Sequence, residues 1–228
     1  MTGDLARDFW PFAAVTAVAV IVALALYGSG SFQRFYGSIP PVLLTLIAVA
    51  VGAGLMVFLS GRGWLPPEPD RGPQLLRHLV IGAFVAVPAV IFDLFVHFPE
   101  DMNVAWPESV PFYTGVALVA EVGFHLVPLA ALILVTGWTF GPPGENASRT
   151  LVAVLIVAAA EALFQAVDAL SGEDRRLVIF VVPQLALVGA VQLLTLRWYG
   201  FGAMLMFRYG YYLVWHIVWG YLRLGVVF

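Results

Sequence analysis

Seven ionisable side chains, Asp93, His97, Glu121, His125, Glu161, Asp168 and His216, stand inside apolar stretches long enough to cross a bilayer. A charge in hydrocarbon costs several kcal/mol unless it is paired, hydrated or neutralised, so such residues face a bundle interior and mark the place where chemistry is sought. Glu121 and His125 lie four residues apart and share one helical face, and Glu161, Gln165 and Asp168 follow the i, i+4, i+7 stripe. A buried Glu121 is a candidate general base toward water, with His125 one turn away to orient it. Burial opposes the charge of Glu121 and Glu161 unless a cation such as an imidazolium or a guanidinium offsets it. Glu121, His125, Asp168 and His216 are also carboxylate and imidazole ligands of the kind that suit a divalent metal such as Zn, Mn or Fe, although the accompanying glutamate spacing of zinc proteases is missing.

The elements that must position these residues follow from composition. Of the 228 residues 61% are hydrophobic and 11% charged, where a soluble domain carries about 25% charge to wet its surface. With a mean hydropathy of +0.94 the chain reads as a multi-pass membrane protein. Apolar windows of bilayer length, punctuated by turn residues, predict seven helices near Phe9–Tyr27, Pro41–Leu59, Leu79–Phe98, Phe112–Val135, Leu151–Leu170, Leu177–Leu196 and Phe201–Val226. Short connections and the lack of an internal repeat predict one all-α transmembrane domain over residues 1–228. The longest connection, Gly61–Arg77, carries Pro66, Pro67 and Pro69 and reads as an extended surface loop, while Trp106 reads as an interfacial anchor.

Several classes fall away on residue inventory. There is no cysteine, hence no disulfide, thiolate nucleophile or sulfur-bound metal, and the net charge of −3 lacks the basic footprint that nucleic acid requires. All eleven basic residues are Arg, so the Schiff base of a seven-helix retinal protein has no lysine to form on. Ala23-Leu24-Ala25 imitates a signal-peptidase site, but the apolar run continues to Tyr27 and Asp4 and Asp8 outweigh Arg7, so the first helix is expected to be retained. Asn146-Ala147-Ser148 matches a glycosylation sequon that is too short to carry weight. Arg7, Arg62, Arg71, Arg77, Arg149 and Arg197 fall on one side of the threading and Arg34, Arg175, Arg176 and Arg223 on the other. That excess predicts an amino terminus inside, and the membrane is expected to be a prokaryotic cytoplasmic one.

Antiparallel threading brings Glu121, His125, Asp168 and His216 to mid-depth or toward one common face. Tyr209, Tyr211, Tyr212, Trp215, Trp219 and Tyr221 surround His216. Beyond packing against the lipid bilayer, this aromatic density suggests a docking surface near Trp215 and Trp219 for a membrane-protein partner or for a lipid or isoprenoid chain. Arg208 and Arg223 read as snorkelling anchors.

In the order and separation of three fragments the chain resembles the CAAX prenyl protease and bacteriocin-processing (CPBP, or ABI) family of membrane proteases. The family's Glu-Glu-x-x-x-Arg motif corresponds to Ala120-Glu121-Val122-Gly123-Phe124-His125, its Phe-x-x-x-His to Phe164-Gln165-Ala166-Val167-Asp168, and its His-x-x-x-Asn to His216-Ile217-Val218-Trp219-Gly220, led by Gly202, Arg208 and Gly210. The resemblance covers roughly Pro111 to Gly220. It implies a membrane-embedded endopeptidase, glutamate-dependent or metal-assisted, that cleaves a lipidated or membrane-inserted peptide. In the family the first Glu and the second-motif His activate water while the third-motif His and Asn stabilise the oxyanion. Here Ala120, His125, Asp168 and Gly220 replace four of those groups, and only Glu121 and His216 remain. The departures imply the alternative, a catalytically degenerate relative acting as a structural or assembly subunit of a membrane complex. A cavity beside Glu121 open to a face or to lipid is the mark expected of the enzyme, and a closed hydrogen-bonded cluster that of the subunit.

Overall fold

The computed structural model describes residues 2–170 and 175–228, apart from the side chains of residues 2–10, 34, 35, 167–170 and 175. Among the described residues the fold is entirely helical: α1 (Thr2–Ala25), α2 (Gly30–Tyr36), α3 (Pro41–Gly61), α4 (Pro73–Val96), α5 (Ser109–Ala120), α6 (Val127–Thr136), α7 (Ala147–Leu170), α8 (Arg175–Tyr199), α9 (Phe201–Tyr212) and α10 (Gly220–Val226). A π-helical stretch, Glu121–Leu126, joins α5 to α6 without a break, and a second, Leu213–Trp219, joins α9 to α10. Backbone groups in lipid must be satisfied within the segment, which is why apolar runs of this length fold as continuous helices.

Five stretches are long and apolar enough to cross a membrane: Pro41–Gly61, Pro73–Val96, Ser109–Thr136, Ala147–Ala166 and Arg176–Tyr199. They correspond to the second through sixth expected spans. The expected first span contributes a shorter apolar helix, Pro11–Ala25. The expected last span does form one helical rod, but its Tyr, Trp and Gly content and two Arg keep it out of the set of five. Phe84, Phe95, Leu134, Val135, Phe164 and Ile179 are exposed on the outer surface, the side-chain distribution of a bundle whose solvent is lipid.

Packing is set by small residues. The buried stripe of α4 runs His78, Gly82, Ala86, Ala89 and Asp93, so that small residues occupy the centre and polar ones the ends. A Cβ on Gly82 would sit 1.9 Å from the Phe207 carbonyl oxygen, and one on Gly210 would sit 1.9 Å from that of Leu79. Backbones of α4 and α9 therefore meet face to face, as small residues permit where lipid supplies no hydrophobic drive between helices. On α8 a Cβ at Gly189 would lie 2.6 Å from Glu161 Oε2 and 3.4 Å from Ala158, so this glycine makes room for a carboxylate of α7. α1 packs on α3 and α5, closing the other side.

The connection after α3 departs from the expected surface loop. Trp64 is fully buried and Leu65 is nearly so, with Trp64 edge-on to Phe140 at 4.8 Å. Arg197, buried near the end of α8, holds this turn by donating to the carbonyls of Gly63 and Trp64, each at 2.9 Å, and of Gly141. The long Pro-rich stretch is thus tied down by a cation that composition alone places at a loop end. Trp106 is exposed beside Tyr221, at 6.1 Å between ring centroids.

Candidate functional site

The π-helical stretch between α5 and α6 carries Glu121 and His125, both 0% exposed, with His125 Nδ1 2.7 Å from Glu121 Oε2. Widening of a helix by one residue per turn is rare and concentrates at functional positions. From α9, Arg208 Nε donates to Glu121 Oε1, and from α8 Gln192 Nε2 donates to the same oxygen. Arg208 uses its remaining donors on Tyr212 Oη at 2.9 Å and Gln192 Oε1 at 3.2 Å, and its Nη2 lies 3.4 Å from His125 Nδ1. From α7, Glu161 brings Oε2 to 3.1 Å from His125 Nε2, and Gln165 Nε2 donates to Glu161 Oε1 at 3.0 Å. Four helical rods therefore contribute to one buried ionic network.

Its electrostatics follow from burial. Two carboxylates removed from water require cationic or hydrogen-bonding partners, since an uncompensated buried charge is strongly destabilising. Glu121 has them on both oxygens. Glu161 is held by Gln165, with Arg208 Nη2 4.0 Å away. The His125 Nε2 and Glu161 Oε2 atoms face one another off the line of a hydrogen bond, and neither has another hydrogen-bond partner.

The four residues expected to converge are distributed differently. Glu121 and His125 meet. His216 lies on the second π-helical stretch and turns its Nδ1 to the Asn103 side-chain oxygen at 2.6 Å, stacked on Tyr113 at 4.4 Å. Tyr212 stands between His216 and the network, its ring edge-on to His216 at 5.0 Å and its hydroxyl on Arg208. The Asp168 side chain lies outside the described residues. Asp93 belongs to another cluster: Arg223 donates to its two oxygens at 2.6 and 2.9 Å, Trp219 Nε1 donates at 2.7 Å, and the Phe98 amide donates at 2.6 Å. His97 is exposed just past α4 with φ 54°, near Phe228.

Both expected snorkelling anchors are corrected. Arg208 and Arg223 are buried and turned inward, because a carboxylate at the same depth satisfies a guanidinium better than a reach to the interface does. The aromatic surface is corrected in part as well. Trp215 is 4% exposed and packs edge-on to Phe98 at 5.1 Å, while Trp219 is partly buried with its indole N–H on Asp93. Neither indole is freely exposed. Sequence reasoning named Glu161 as an intramembrane acid without assigning it to the site, and it passed over Gln192. A glutamine amid the apolar run of α8 was the available signal, because polar side chains in such a run seek partners across helices.

The described residues of the network do not form a divalent-metal site. Among the described residues no group of three or more His, Asp or Glu side chains is disposed to hold an ion. The guanidinium of Arg208 already supplies the positive charge beside Glu121 Oε1. With the geometry in view, no known protein family matches the chain, and neither does a curated protein or a solved structure.

Proposed function

We propose that this chain is a structural or assembly subunit of a membrane complex, a catalytically degenerate relative of CPBP-type endopeptidases. It lies in a prokaryotic cytoplasmic membrane as seven spans with the amino terminus inside. One observation carries this reading: Glu121, the one retained acid of the first motif, is fully buried, and both its oxygens are engaged by Arg208, Gln192 and His125. A general base must reach the water it deprotonates, and a carboxylate locked to a guanidinium serves packing instead. Ala120 and Gly220 support the same reading, since neither can replace the acid or the amide of the family pattern. A partner chain or isoprenoid tail would seat beside Trp219, where Tyr221 and Leu222 are exposed.

The endopeptidase reading keeps one observation in its favour: both retained family residues lie on π-helical stretches. Glu121→Gln separates the two. The amide nearly matches the carboxylate in size and cannot accept a proton from water. The subunit reading expects the variant, purified in mild detergent, to keep its co-purifying proteins and the peptide profile of its host membrane. Loss of a processed peptide with the bundle still folded assigns the peptidase instead.

A further inference from the structure

The contacts around His125 require a count of protons. Its Nδ1 faces Glu121 Oε2 at 2.7 Å and its Nε2 faces Glu161 Oε2 at 3.1 Å. A bare imidazole nitrogen this close to a carboxylate oxygen is repulsive, because both present negative charge density, so each contact calls for a proton, in line at Glu121 and as an ion pair off the hydrogen-bond line at Glu161. A neutral histidine and two carboxylates hold one proton in total.

The balance is the same whichever way the first contact is drawn. With both nitrogens protonated, the ring donates to Glu121 and pairs with Glu161 by charge. If the proton of the 2.7 Å contact instead sits on Glu121 Oε2, Nδ1 accepts it and the remaining ring proton, on Nε2, lies beside Glu161 Oε2. Either arrangement holds two protons. Charge agrees with the count: Glu121 and Glu161 bring two negative charges, Arg208 one positive, and one added proton brings the network to neutrality. The other side chains that face it, Gln165, Gln192 and Tyr212, bring no charge. A neutral cluster is the state a bilayer interior favours.

We infer that Glu121, His125 and Glu161 form an intramembrane proton-binding site that holds one proton, taken from water, beyond those of a neutral histidine and two carboxylates. This goes beyond the subunit reading and does not depend on it. The test uses the full chain with 15N-labelled histidine in bilayer nanodiscs near neutral pH. Nitrogen spectra count the N–H groups of His125, and infrared difference spectra against Glu121→Gln and Glu161→Gln reveal any protonated carboxyl. The expected result is either two N–H groups on His125, or one N–H together with a carboxylic band that one of the glutamine variants removes. A His125 with a single N–H beside two ionised carboxylates overturns the site. His125→Gln identifies the ring by the signal it deletes. Should that variant not fold, His78→Gln, His97→Gln and His216→Gln identify it as the signal that survives all three.

Discussion

Arg208 is the side chain on which the buried network depends. It reaches Glu121 across 87 positions of sequence and also binds Tyr212 and Gln192. Removing it strands a fully buried carboxylate, so Arg208→Gln is expected to cost about 3–5 kcal/mol of bundle stability, as breaking a buried ion pair does. Glu121→Gln keeps an amide oxygen that can accept from the guanidinium and should cost less, leaving the bundle folded. The double variant should recover part of the loss, with a coupling of roughly 0.5–3 kcal/mol in a double-mutant cycle read by unfolding in detergent. Strictly additive losses would show that the two groups do not act as a pair. The Glu121–His125 pairing was legible because i, i+4 spacing puts two side chains on one helical face whatever the rest of the chain does. Arg208 was not, because periodicity gives the face of a helix and says nothing of which neighbour that face meets.

Helices meet here where glycine lets backbones touch. A Cβ at Gly82 collides with a backbone oxygen of α9, whereas one at Gly54 on α3 meets nothing within 4 Å. Gly82→Ala should therefore separate α4 from α9 and lower the detergent melting temperature by several degrees, while Gly54→Ala leaves it unchanged or raises it slightly through helix propensity. Equal melting temperatures in the two variants would contradict the close approach. A second element-scale device is the tie between α10 and the end of α4. Arg223 donates to Asp93 and to the carbonyls of Phe98 at 2.6 Å and Pro99 at 2.8 Å, which holds down the segment carrying Val104 and Asn103. Since the chain has no native cysteine, Val104→Cys gives a clean reporter at a buried position. It should resist maleimide in the parent and react at least several-fold faster when Asp93→Ala is added. The helices themselves were legible from run length and turn residues. The inward Arg223 and the buried Trp64 were not, because each depends on partners, Asp93 for the one and Arg197 and Phe140 for the other, that only the folded chain brings near.

At the scale of the whole molecule, the bundle is sorted into layers of depth. Arg197 with its carbonyls, together with Asp70, Arg77 and His78, forms a polar layer at the end where α3 and α8 finish. The Glu121 network lies further along, and Asp93, Arg223, Asn103 and His216 form a layer where α4 ends and α5 begins. Only the membrane gives these layers an inside and an outside. The arginine excess predicts that Glu68, between α3 and α4, faces the cytoplasm and that Glu100, between α4 and α5, faces out. In intact cells a membrane-impermeant maleimide should label Glu100→Cys and leave Glu68→Cys unlabelled until the membrane is opened. The reverse pattern would invert the topology.

The pairing of Asp93 with Arg223 also decides how the molecule meets an electric field. A lone arginine moved across a polarised bilayer exchanges about 2.3 kcal/mol with every 100 mV it traverses. Arg223 shares its place with a carboxylate bound through two of its nitrogens, so the pair carries no net charge and displacing it as a unit does almost no electrical work. The junction between α4 and α10 is accordingly a place where a change of potential finds no net charge to move.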